Sequence, residues 1–153
     1  MGLIDGRWVY VHAEGKMGWV FGGYLSALPS LGKCESIKAY LHSSFRKDRV
    51  TKKNIEPRRD YLLKEMGIRT TTFKNGAYYK FKESFEYFGE EIFIPNITLY
   101  EGYVLVKACQ SYSFQKLKYR PQKNLIKAHE DATYLEIHQK PTGVLIKLDN
   151  PTP

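Results

Sequence analysis

The sequence predicts a mainly β or α+β protein, a β-hairpin module followed by two helices and an antiparallel β-meander. Three observations carry this. The 153 residues include 12 Tyr, 8 Phe and 2 Trp, and aromatic side chains suit a pleated, half-buried sheet surface better than a helix face. Asn75-Gly76 lies between two alternating segments, the strongest short-range hairpin signal. Only two stretches of the chain show helical spacing of apolar residues.

Taken in order, residues 8–12 (Trp-Val-Tyr-Val-His) and 17–21 (Met-Gly-Trp-Val-Phe) read as short strands joined by Ala13-Glu14-Gly15-Lys16, a loop in which Gly supplies positive φ. A tight turn at 22–26 and a boundary at 29–32 follow. Residues 35–46 place Ile37, Tyr40, Leu41 and Phe45 on one helical stripe. A basic stretch covers 46–59. Pro57 then suits the first turn of a second helix running through Tyr61, Leu62 and Met66, with Gly67 as its stop.

From Ile68 the pattern becomes strand-like. Arg69–Phe73 and Ala77–Phe85 flank Asn75-Gly76, with Tyr79, Phe81 and Phe85 on one face and Lys80 and Lys82 on the other. Further strands are expected at 91–94, 98–108, 132–139 and 143–148, with a turn at Pro95-Asn96 and a hairpin loop at 140–143. The tail at 149–153 is too rich in proline to pair in a sheet. Residues 30–153 thus read as one α+β or mainly β domain, its meander closing into a small barrel or staying open against the helices.

The first 28 residues carry a more specific pattern: Trp8-x-x-Val11, Gly15, Gly18-Trp19-Val20 and Tyr24-Leu25. This resembles the closing half of a bacterial SH3-like domain, in which a Trp-containing strand leads through a Gly loop to Gly-Trp-Val and then Tyr-Leu. Only the final hairpin and last strand are represented. A late start, a degenerate domain, or docking on residues 30–153 or on a second chain would each accommodate half a domain, because a lone hairpin is marginal in water. The resemblance implies a binding module, with Trp8, Trp19 and Tyr24 as candidate ligand contacts and peptide or cell-wall polymer as ligand. Core packing of Trp8 and Trp19 is the alternative. Proteins with such domains are commonly exported to the bacterial envelope. Read from Met1 alone, without a signal peptide, the chain is cytoplasmic; an upstream leader would place it in the envelope or periplasm.

Charge offers a second reading. The net charge is +8, which favours contact with nucleic acid or other anionic polymers. One basic segment holds Arg46, Lys47, Arg49, Lys52, Lys53, Arg58 and Arg59. Another, 112–127, interleaves Lys116, Lys118, Arg120, Lys123 and Lys127 with Tyr112, Phe114 and Tyr119. Cations for phosphates and rings for bases form a single-strand-binding composition.

Catalytic signatures are lacking. There is no G-x-S-x-G elbow, no phosphate loop and no H-E-x-x-H, so the expectation is a non-catalytic protein without cofactor or metal. Glu136 and His138 share a strand face, which reads as an ordinary polar surface. Cys34 and Cys109 lack C-x-x-C spacing and suit either one disulfide or two buried thiols. No apolar run is long enough to span a membrane.

Overall fold

The computed structural model describes residues 8–21, 28–31, 34–55, 66–84, 87–109, 114, 116–130 and 132–151. Strands β1 (Trp8–Ala13) and β2 (Lys16–Phe21) form a two-stranded sheet. Helix α1 (Ile37–Ser44) leads into the meander β3 (Lys47–Ile55), β4 (Met66–Phe73), β5 (Tyr78–Ser84) and β6 (Tyr87–Pro95). Helix α2 (Leu99–Cys109) then crosses to β7 (Leu125–Glu130), β8 (Thr133–Lys140) and β9 (Gly143–Pro151). All seven later strands make one antiparallel sheet in the order β3-β4-β5-β6-β9-β8-β7. The β-rich α+β class holds. Among the described residues the sheet is open, with β3 and β7 at its edges, rather than closed into a barrel.

Local chemistry explains most elements. Asn75-Gly76 makes the β4–β5 turn, with Gly76 at φ +87° and the Asn75 side chain accepting from Ala77 N. In α1, Ser36 caps the first turn by accepting from Ala39 N at 3.1 Å. Ile37, Tyr40 and Leu41 are buried on one side, the spacing expected of an amphipathic helix.

Three expectations need correction. The strand expected at 98–108 is instead helix α2, Leu99–Cys109. Thr98 and Glu101 form a capping box, with Thr98 N donating to Glu101 Oε2 at 2.7 Å and Glu101 N to Thr98 Oγ1 at 3.3 Å; this satisfies amides that the helix start leaves open. Met66 and Gly67 do not end a helix but open β4, because β3 pairs with β4 from Ile55↔Met66 onward. The rest of that expected helix, residues 56–65, lies outside the described residues. Among the described residues the helices are α1 and α2, and α2 stands where a strand was expected. Asp149, Asn150 and Pro151 are no free tail, since they extend β9 opposite Gly89, Phe88 and Tyr87. Pro151 sits at the strand end, where a missing amide donor costs least.

The core lies between the sheet and the two helices. Ile92, Ile94, Val144, Ile146, Leu135, Ile137 and Ile126 face Ile37, Leu41, Leu105 and Val106. Gly102 permits the close approach of α2, since a Cβ there would lie 2.8 Å from Val144 Cγ1 and 3.2 Å from Ile137 Cγ2. Cys34 and Cys109 are joined by a disulfide with a sequence separation of 75. It ties the approach to α1 to the last turn of α2.

Cross-linking so long a loop restricts the unfolded chain strongly. Reduction, or Cys109→Ala, is expected to lower unfolding free energy by roughly 2–5 kcal/mol, checked by denaturant titration with and without reductant.

Candidate ligand-binding surfaces

Two surfaces stand out, one apolar and one cationic. The first is a face of the β1–β2 hairpin. Glu14 and Gly15, at φ +49° and +74°, form its two-residue turn, and positive φ at both central positions matches the twist of paired strands. The resulting register sets Tyr10 opposite Trp19, His12 opposite Met17, and Trp8 opposite Phe21. Directly opposed residues share a face, so Trp8, Tyr10, Met17 and Trp19 lie on one side.

All four are open to solvent, at 65%, 51%, 65% and 66% exposure. The Tyr10 and Trp19 rings are 5.1 Å apart and inclined by 56°. Val9, Val11 and Val20 occupy the reverse face, and none of these residues belongs to the core between sheet and helices. Neither tryptophan is a core residue of this structure. Tyr24 lies outside the described residues.

The second surface is a groove where the helix layer ends and the sheet continues. Its walls and floor include Lys38 and His42 of α1, Lys47, Val50 and Lys52 of β3, Arg69 of β4, Tyr79, Phe81 and Glu83 of β5, and Glu90 of β6, around a volume of about 580 Å³. The inward face of β3 is set by pairing, Val50 opposite Thr71 and Lys52 opposite Arg69. Simple alternation from these residues would turn Lys47 outward. A bulge between Lys47 and Arg49 shifts the register and sets Lys47 opposite Phe73, back on the groove side. The His42 pKa is lowered by burial first, and then by the positive charges of Lys38 and Lys47.

The basic residues named from sequence do not all meet here. Lys47 and Lys52 line the groove. Lys53 alternates to the opposite face of β3, and Arg46 precedes the strand. Arg58 and Arg59 lie outside the described residues. Lys116, Lys118 and Arg120 follow α2 on a separate, exposed segment. The described rings of that segment are committed to packing: Phe114 is buried, and Tyr119 lies 5.2 Å from both Tyr100 and Tyr103; Tyr112 lies outside the described residues. Lys38 and Arg69 were not singled out in the sequence, because nothing local marks them as neighbours of Lys47 and Lys52.

The outer face of the sheet is a ladder of charges. Glu136 accepts from His138 Nε2 at 2.8 Å and pairs with Lys127 Nζ at 2.9 Å. This is an ion-pair row along adjacent strands, and no group of three metal-ligating side chains occurs among the described residues. Glu91 receives Lys80 Nζ at 2.9 Å, Lys82 Nζ at 3.4 Å and the Tyr78 hydroxyl at 2.8 Å. No helix is long and apolar enough to cross a membrane among the described residues. Comparison with protein-family models, with curated proteins and with solved structures gives no significant match.

Partial burial works against the Glu91 charge, yet the hydrogen bonds from Lys80 and Tyr78 and the charges of Lys80 and Lys82 hold its pKa down from 4.5 to about 2. Its contribution to stability is therefore complete above about 4.5 and lost as pH falls toward about 2. Thermal melts of wild type and Glu91→Gln are expected to differ at neutral pH and to converge across that window. A constant difference down to the lower limit would show that ionisation of Glu91 contributes nothing.

Proposed function

We propose that the chain is a non-catalytic binding module that engages an extended ligand through the aromatic face of its N-terminal hairpin. Exposure of Trp8, Tyr10, Met17 and Trp19 on one side of a two-stranded sheet is the observation that carries this reading. Large rings that pack no core offer apolar area with a polar edge, the surface that peptide- and glycan-binding grooves use. A contiguous exposed patch of this kind is uncommon unless something docks on it.

Residues 1–28 are then the closing half of a bacterial SH3-like domain, with Tyr24 a further candidate ligand contact by sequence alone. The ligand is peptide or cell-wall polymer, and the setting is the bacterial cell envelope. The Cys34–Cys109 disulfide supports that setting, because such bonds persist in oxidising compartments.

The test is co-sedimentation with purified peptidoglycan, alongside fluorescence titration with its stem peptide. Single Trp8→Ala and Trp19→Ala substitutions are each expected to weaken binding by about tenfold or more, as for a buried aromatic anchor. The melting transition of the larger sheet should stay unchanged, since neither ring belongs to its core. Equal retention of wild type and the Trp8→Ala/Trp19→Ala double variant on both probes would overturn the proposal.

A further inference from the structure

We propose that the groove between α1 and strands β3–β5 is a second binding site, one that holds a linear phosphodiester polymer carrying no bases, such as a polyol-phosphate chain. Three features of the groove support this, and none depends on the hairpin.

The first is charge. Lys38, Lys47, Lys52 and Arg69 face Glu83 and Glu90. Glu90 already accepts the Tyr79 hydroxyl, whereas no carboxylate lies within ion-pair distance of the four cations among the described residues. Elsewhere on the sheet, Lys74, Lys80, Lys82 and Lys127 are paired with Asp48, Glu91 and Glu136. Unneutralised cations in a concave, partly walled surface raise the local concentration of anions.

The second is spacing. Lys47 and Lys52 both face the groove although they are five positions apart, an odd offset, and the bulge is the reason. They stand roughly 13–16 Å apart along β3 at the usual strand rise, and Arg69 lies beside Lys52 on the next strand. A row of cations of this length fits successive anionic groups better than a single one.

The third is the character of the floor. Single-strand nucleic-acid sites combine cations with free aromatic faces on which bases stack. Here Tyr79 is only 4% exposed, with Lys38 Nζ 5.7 Å from its ring centroid. Phe81 is half-buried beside the core. His42, the exposed ring of the wall, stands edge-on to Phe73 with ring centroids 5.5 Å apart. The groove therefore supplies four cations but little open face from Tyr79 and Phe81, which favours a phosphate backbone whose linkers are small and aliphatic.

The test is fluorescence anisotropy with the full chain and three labelled oligomers of equal phosphate number: glycerol phosphate, abasic DNA and oligo-thymidylate. The glycerol phosphate and abasic oligomers are expected to bind at least as tightly as oligo-thymidylate. Lys52→Glu/Arg69→Glu should weaken all three by tenfold or more. The slope of log affinity against log salt should fall by about one to two. Lys116→Glu/Lys118→Glu, an identical change in net charge on the exposed segment after α2, should have little effect. Lys52→Gln/Arg69→Gln provides the milder pair if charge reversal perturbs folding. Trp19→Ala should leave this binding intact, so failure of the hairpin reading and failure of this one are distinguishable. Tenfold preference for oligo-thymidylate over the abasic oligomer would overturn the proposal in favour of nucleic acid. Absence of binding at low salt, or equal losses in the two charge-reversal pairs, would overturn it outright.

Discussion

The pairing of β6 with β9 joins two halves that are otherwise local. Strands β3 to β6 form one meander and β7 to β9 another. Nine residue pairs, from Tyr87↔Pro151 to Pro95↔Gly143, unite them. This register sets Ile92 beside Ile146 and Ile94 beside Val144 on the inner face, and Ile137 follows opposite Ile146. A slip of one residue would turn every one of these side chains to the charged outer face. The apolar platform for α2 exists only when β9 is in place, and α1 packs in turn against the helix so positioned.

That arrangement also decides where surface is left over. The helices cover the centre of the sheet, while β3 is exposed along all nine of its residues. The corner around β3 and β4 keeps its inner face without a helix above it, and cations occupy it. The N-terminal hairpin is different in kind, with rings directed at solvent and no share in the core. One surface relies on area and the other on charge, so salt should act strongly on the second and weakly on the first.

Much of the fold was legible because its signals are local. Asn75-Gly76 and the 140–143 loop announce hairpins, and the Ile37, Tyr40, Leu41 spacing announces α1. Helix α2 was read as a strand because it is buried on most sides, leaving no polar stripe to reveal the helical period. The Thr98-x-x-Glu101 capping box was the signal that could have identified it. Strand β3 was invisible for the opposite reason: both of its faces are wet, so Lys47–Ile55 shows no apolar alternation. For the hairpin, alternation picked out the rings, but only the two-residue turn puts the rings of both strands on one side. The groove could not be read, since Lys38, Lys52 and Arg69 come from three elements, and a bulge decides where Lys47 points.

Every side chain that shapes the groove, from Lys38 to Glu90, falls between the two half-cystines in the chain. The groove is thus built wholly inside a covalent ring, while β7, β8 and β9 lie outside it. A protease that cuts the backbone once within that ring produces two fragments, one holding Cys34 and the other Cys109, still bonded through sulfur. The cationic corner then remains one molecule after nicking, and its pieces part only when the sulfur bridge is reduced.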